Sequence, residues 1–175
     1  MNLFFRLILT LIKCFFIRKK KVMESAYLSF RVLPFDCDIN IHLTNSRYLS
    51  FMDLGRLYLI AQKQNVFRTM LKYRWQPVIS DLEIKFIKSV KPFARIILQT
   101  RVLTWDDRYL YLEQRLFDKH TLYSIAIIKG TFVEKGQRVP MSRIVAIAGE
   151  PNLKAPPMST MLKHWQALTE AKKAL

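Results

Sequence analysis

The sequence predicts an α+β protein in which a curved antiparallel sheet wraps around one long central helix, with an apolar helix at the N-terminus. A strand-like segment at residues 26–33 precedes a long helix at 46–64, and four alternating segments follow. Sequential strands usually pair as an antiparallel meander. Because the long helix is apolar on most sides, we expect the sheet to curve around it and bury it.

The first 22 residues predict a membrane-associating helix. The apolar run at 3–17 is shorter than a spanning helix, and its basic cluster follows the run, opposite to a secretory signal. Arg6, Thr10 and Lys13 fall on one helical face, which is typical of a helix lying in a membrane interface. Packing of this helix on the domain or on a partner subunit is the alternative, and a single span is a third.

The remaining elements divide the chain into two further units. Residues 23–150 form the main domain, and residues 151–175 form a proline-containing linker and a C-terminal helix. A second short helix is predicted at 66–73 and a short apolar segment at 140–148. The four successive strands are predicted at 78–90, 94–105, 108–117 and 122–134.

Charge and cysteine content restrict the partners and the compartment. Lys and Arg number 29 against 13 acidic residues, a formal charge of +16, which favours nucleic acid, anionic lipid or coenzyme A as a partner. Nucleic acid is not expected, because no recognition module is visible. Cys14 and Cys37 form neither a disulfide framework nor a metal-binding spacing. We therefore predict a cytoplasmic protein held peripherally on the cytoplasmic face of an anionic membrane.

One segment before the long helix carries residues suited to chemistry. Asp36, Asp38, Asn40 and His42 alternate and, if the chain is extended, share one side. A carboxylate can act as base or nucleophile, and a histidine or helix N-terminus can stabilise an oxyanion. These parts suit hydrolysis of an activated acyl group. The residues alone equally allow a structural interpretation, with Asp36 as a turn residue and His42 and Asn45 satisfying backbone groups.

Residues 36–49, Asp-Cys-Asp-Ile-Asn-Ile-His-Leu-Thr-Asn-Ser-Arg-Tyr-Leu, resemble the signature of hotdog-fold acyl thioesterases of the 4-hydroxybenzoyl-CoA thioesterase class. The Asp-x-Asn-x-His order is similar to that of plant acyl-carrier-protein thioesterases. Segments 30–34, 48–56, 75–78 and 105–115 resemble a narrower branch, thioesterase superfamily member six and its bacterial relatives. The likeness covers nearly the whole chain and implies a hotdog fold.

The resemblance also implies roles for individual residues. Asp38 matches the general base or nucleophile, Asn40 the residue that holds the water or the thioester carbonyl, and His42 the histidine that assists. Asn45 and Tyr48 match residues that shape the helix entrance and contact substrate. The implied reaction hydrolyses an acyl-CoA or acyl-carrier-protein thioester, with a fatty acyl group, to free acid and thiol. It requires no metal or cofactor.

Two departures from the signature keep a second function open. Ile41 replaces the glycine before the histidine, and Thr44 replaces the first asparagine of a pair. These changes keep open the alternative of a non-catalytic, membrane-associated protein that binds acyl lipids or serves as a scaffold. Asp36 is expected to be structural.

Gln114 is the remaining candidate substrate-binding residue. It lies on the face of its strand that is otherwise occupied by Leu110, Leu112 and Leu116. There it can line an acyl pocket or satisfy backbone groups. Since hotdog domains of this type pair, the resemblance further implies a homodimer or a higher homo-oligomer.

Overall fold

The computed structural model describes residues 2–15 and 18–172. The helices are α1 (Asn2–Phe15), α2 (Asn45–Gln62), α3 (Gln64–Tyr73), α4 (Met141–Ile147) and α5 (Thr160–Lys172). The strands are β1 (Ala26–Arg31), β2 (Gln76–Phe86), β3 (Arg95–Trp105), β4 (Leu110–Phe117), β5 (Leu122–Glu134) and β6 (Gln137–Arg138). Residues 16–17 of the predicted apolar run and 173–175 of the predicted terminal helix lie outside the described residues.

The sheet is antiparallel throughout and has the order β1–β3–β4–β5–β2, with β6 paired to the end of β5. The predicted α+β class is confirmed, but the predicted order of pairing is wrong at β2. This strand pairs with β5, Phe86 lying opposite Ser124, and not with β3. The physical reason is that β1 occupies the other edge of β3 over the first half of that strand, from Arg31 opposite Arg95 to Ala26 opposite Thr100.

Helix α2 is buried against one face of this sheet. Phe51 and Met52 are at most 1% exposed, and the Phe51 ring stacks on Phe30 with centroids 4.7 Å apart. The helix approaches the sheet closely at Gly55. A methyl group there would lie 2.5 Å from Leu98 Cδ2 and 2.8 Å from Thr100 Oγ1. Only a residue without a side chain permits this spacing.

Helix α5 covers the opposite face of the sheet. Leu162 and Trp165 pack with Tyr111 and Ile127, so the sheet has an apolar layer on both sides. The buried Lys129 contacts α5 as well, with its ammonium 3.3 Å from the carboxylate of Glu170. The C-terminal segment is therefore an integral layer of the fold.

Helix α1 packs against α2 through Arg6 and Thr10 of its polar stripe, whereas Lys13 is exposed. Thr10 is 3% exposed, and the Arg6 guanidinium lies over the Phe51 ring at 4.7 Å from its centroid. Phe5 and Leu9 on the outer face are 61% and 58% exposed. The helix thus packs on the domain and still presents an apolar surface. Within residues 2–15 and 18–172, no helix is long and apolar enough to cross a bilayer.

Replacing Gly55 with alanine tests the close approach of α2. We expect the overpacking against Leu98 and Thr100 to lower the free energy of unfolding by about 1–3 kcal/mol, measured by denaturant titration. Asn65→Ala on the exposed side of α3 serves as control and should change it by less than about 0.5 kcal/mol. A Gly55→Ala protein as stable as the parent would contradict the spacing.

Candidate active site

The segment between β1 and α2 is a closed turn. The Asp38 N–H donates to the carbonyl of His42 at 2.9 Å, and the Ile41 N–H donates to the carbonyl of Asp38 at 3.0 Å. Cys37 and Leu43 form a β-bridge at the base of the turn. The extended arrangement considered from the sequence therefore does not occur, because these backbone bonds fold the chain back on itself after Asp38.

Asp36 is separated from the other three polar residues and is buried, with 1% exposed. Its carboxylate accepts bonds from the Leu33 N–H at 2.9 Å and from Arg6 Nη2 at 2.6 Å, while Arg47 Nε lies 3.8 Å away. Burial lowers the pKa of the Arg6 guanidinium, and the Asp36 charge opposes that shift. Asp36 thus attaches α1 to the base of the turn.

Asp38 and Asn40 are exposed at the turn, whereas His42 is half-buried. Asp38 Oδ1 accepts the Asn40 N–H at 2.9 Å, which forms an Asx turn. In the part of the chain that the structure describes, no hydrogen bond joins the side chains of Asp38, Asn40 and His42. The turn thus brings the three candidate residues into one short segment but leaves their side chains unconnected.

Asn45 and Tyr48 stand at the start of α2. Asn45 is the first helical residue, and Thr44 precedes it without a side-chain capping bond. The Arg47 N–H donates to the Thr44 carbonyl at 2.8 Å, so the N–H groups of Asn45 and Ser46 are the ones that an oxyanion could reach. Tyr48 is 3% exposed and packs edge-on against Phe86, with centroids 5.0 Å apart. Burial raises the pKa of the Tyr48 hydroxyl. Tyr48 is therefore part of the core and is not an exposed contact.

Gln114 lies far into the core and is fully buried. Its Nε2 donates to the Met52 carbonyl and to Thr100 Oγ1, both at 2.9 Å, and its Oε1 accepts Arg56 Nη1 at 2.8 Å. All of its polar atoms are engaged within the core. The sequence allows Gln114 either to line an acyl pocket or to satisfy backbone groups, and in the structure its side chain bonds to the Met52 carbonyl.

An apolar cleft that the sequence did not predict lies between α2 and the β2 edge of the sheet. Its volume is about 250 Å³. The cleft is lined by Leu57, Ile60, Val78, Ile79, Leu112 and Phe132, among others. Asp53 and Arg56, which form an ion pair, also border it. No local motif marks a cleft of this kind. The sequence does contain one signal for the polar border of the cleft: Arg56 follows Asp53 by three residues, so the two side chains share one helical face.

Comparisons with known proteins agree with this fold. The family model described as thioesterase-like superfamily matches residues 32–166. Protein THEM6 of Xenopus laevis is 31% identical over 96 residues, which are 55% of this chain and 46% of the frog protein. The Saccharomyces cerevisiae protein named Probable thioesterase YBR096W is 29% identical over 99 residues, which are 55% of this chain and 43% of the yeast protein. The matched segment is therefore less than half the length of either relative.

A solved structure supports the fold independently. The structure of BH1999 gentisyl-coenzyme A thioesterase superposes with a TM-score of 0.63 at 15% identity, over 70% of this chain and 98% of that chain. At this identity the likeness shows the fold alone, which is the hotdog fold that the resemblance implied. Since the family model matches well over half of the residues, the chain belongs to the thioesterase-like superfamily.

Proposed function

We propose that the protein hydrolyses acyl thioesters and that Asp38 is the general base or nucleophile. The observation that carries this proposal is the turn from Asp38 to His42. It holds the exposed Asp38 carboxylate and ends two residues before the first turn of α2. Family membership supports the reaction class. The fatty acyl group and the choice between coenzyme A and acyl-carrier protein are part of the proposal.

In the general-base route, Asp38 removes a proton from water, and the resulting hydroxide attacks the thioester carbonyl carbon. The backbone N–H groups of Asn45 and Ser46 at the start of α2 stabilise the oxyanion that develops. The C–S bond then breaks, and the departing thiolate takes the proton from Asp38. Asn40 orients the water or the carbonyl, and His42 donates a hydrogen bond to the reacting oxygen. The products are a free acid and a thiol.

The apolar cleft beside α2 supports an acyl substrate. Its lining is mostly apolar, and its volume of about 250 Å³ lies just below the usual range for small-molecule sites. The formal charge of +16 favours a thiol carrier that bears phosphates.

The exposed side of α1 supports peripheral attachment to an anionic membrane. Phe4, Phe5 and Leu9 are each more than half exposed, and the exposed Lys13 and Arg18 lie close to this apolar face. An apolar helical face flanked by cations is suited to the headgroup region of a bilayer. The inward-facing Arg6, bound to Asp36, fixes the orientation of this face.

The β2 edge supports a homodimer. Among the described residues, the eleven-residue strand β2 lies at the edge of the sheet and exposes Val78, Ile79 and Phe86, each about two-fifths exposed. A long edge strand with exposed apolar side chains is a template for pairing with a second chain, and antiparallel pairing across a two-fold axis is self-complementary. Such a dimer would place the apolar cleft, which β2 borders, beside the partner.

Replacing Asp38 with alanine tests the reaction. Removal of the base or nucleophile should lower kcat/KM by at least about 100-fold across a panel of acyl-CoA chain lengths, measured by release of free thiol. Asp107→Asn is the matched control, because Asp107 is exposed and uses only its backbone carbonyl in a hydrogen bond. Equal turnover by the parent and Asp38→Ala proteins would exclude the proposed mechanism. If neither shows turnover but both bind acyl-CoA, the non-catalytic alternative is correct.

Replacing Ile79 with lysine tests the β2 interface. The parent should have twice the mass of one chain by light scattering, and Ile79→Lys should have the mass of one chain, because two like charges would meet near the two-fold axis. Leu71→Lys, on an equally apolar but remote position of α3, should remain dimeric. A parent protein that is monomeric, or an Ile79→Lys protein that still pairs, would contradict this interface.

A further inference from the structure

Four large apolar side chains project from two adjacent loops around the candidate active site. Phe35, Ile39, Ile41 and Phe93 are 60%, 97%, 67% and 62% exposed, and we call them the loop tip. Backbone hydrogen bonds join the two loops: the Phe93 N–H donates to the Val32 carbonyl at 2.8 Å, and the Leu43 N–H donates to the Val90 carbonyl at 2.9 Å. These hydrogen bonds hold the two loops together and therefore keep the four side chains in fixed relative positions.

Two members of the loop tip have backbones in the left-handed region. The φ angles are +59° at Ile41 and +64° at Phe93. This conformation suits glycine and is strained for any large side chain, above all a β-branched one. Glycine at either position would remove the strain and the exposed apolar surface together. A strained residue that also exposes a large apolar side chain indicates that the side chain has a use outside the folded chain.

The surroundings of the loop tip are cationic. Arg31, Lys88, Lys91 and Arg95 are exposed on the same two loops and on the strand ends next to them. The exposed acidic residue of the turn is Asp38 itself. An apolar centre with a basic rim complements an anionic lipid surface. A second copy of this chain fits less well, because two such rims would face each other with like charge.

We infer that the loop tip inserts into an anionic bilayer, so that the turn carrying Asp38 opens toward the lipid. This inference rests on the proposed peripheral association and adds a second contact to that of α1. The Arg6–Asp36 ion pair, with 2.6 Å between Nη2 and Oδ2, fixes the beginning of α1 beside the turn, so both apolar surfaces lie in one region of the molecule. An acyl thioester dissolved in the leaflet would then reach the site without crossing water.

The test measures vesicle binding and stability in the same variants. Ile41→Gly should raise the midpoint of denaturation, because it relieves a left-handed isoleucine, and should lower binding to phosphatidylcholine–phosphatidylserine vesicles by about tenfold. Ile39→Ser should lower binding by about the same factor with little change in stability, since Ile39 is 97% exposed. Leu168→Ser, half-exposed on α5 at the opposite face of the sheet, is the control and should bind as the parent does.

A second arm separates this inference from the proposed association. The double variant Phe5→Ser/Leu9→Ser removes the outer face of α1 and should also weaken vesicle binding. If it does so while Ile39→Ser and Ile41→Gly bind as the parent does, the association stands and the loop-tip inference fails. If the parent binds no vesicle, both fail. If the loop-tip variants change the mass in solution but not vesicle binding, the surface contacts a second copy, which also overturns the inference.

Discussion

The close approach of α2 to the sheet at Gly55 is the constraint on which the rest of the molecule depends. The helix backbone is held there from the sheet side by Gln114, which bonds to the Met52 carbonyl while accepting a bond from Arg56. A buried amide with every polar atom paired fixes one position of the helix, because any shift would leave a polar group unsatisfied. The start of α2, and with it the turn carrying Asp38, is therefore set by contacts in the core.

The sequence predicted the features that depend on local spacing and missed those that depend on contacts between distant segments. Elements with a strong period, the long helix and strands β3, β4 and β5, were predicted within a few residues, because their burial depends on local spacing. The pairing of β2 with β5 was not, because a strand pattern does not specify which free edge it will occupy. The role of Gln114 was also left undecided. A polar residue on an apolar strand face has the same sequence pattern whether it binds a ligand or a helix carbonyl. In the structure, the close approach of α2 at Gly55 brings the Met52 carbonyl within hydrogen-bond distance of Gln114.

The turn shows a further limit of pattern analysis. Alternation of Asp36, Asp38, Asn40 and His42 suggested one polar side, but Asx turns arise from short-range bonds that an alternation rule does not consider. Asp36 instead pairs with Arg6 of α1, thirty residues earlier in the chain. No rule applied to either segment alone connects these two residues. The sequence predicts the polar stripe of α1, but only the structure shows that Arg6 and Thr10 of this stripe face the domain.

At Ile41, a backbone conformation suited to glycine carries a large, exposed apolar side chain. A glycine there would adopt the observed backbone without strain and would let a substrate approach more closely. Isoleucine gives up both advantages, yet the backbone bonds from Asp38 to His42 and from Ile41 to Asp38 hold the turn closed around it. Those bonds must offset the strain, of order 1–3 kcal/mol for a residue in a sparsely populated region. Departure from the motif therefore does not by itself indicate lost activity, because the same change adds apolar surface next to the carboxylate.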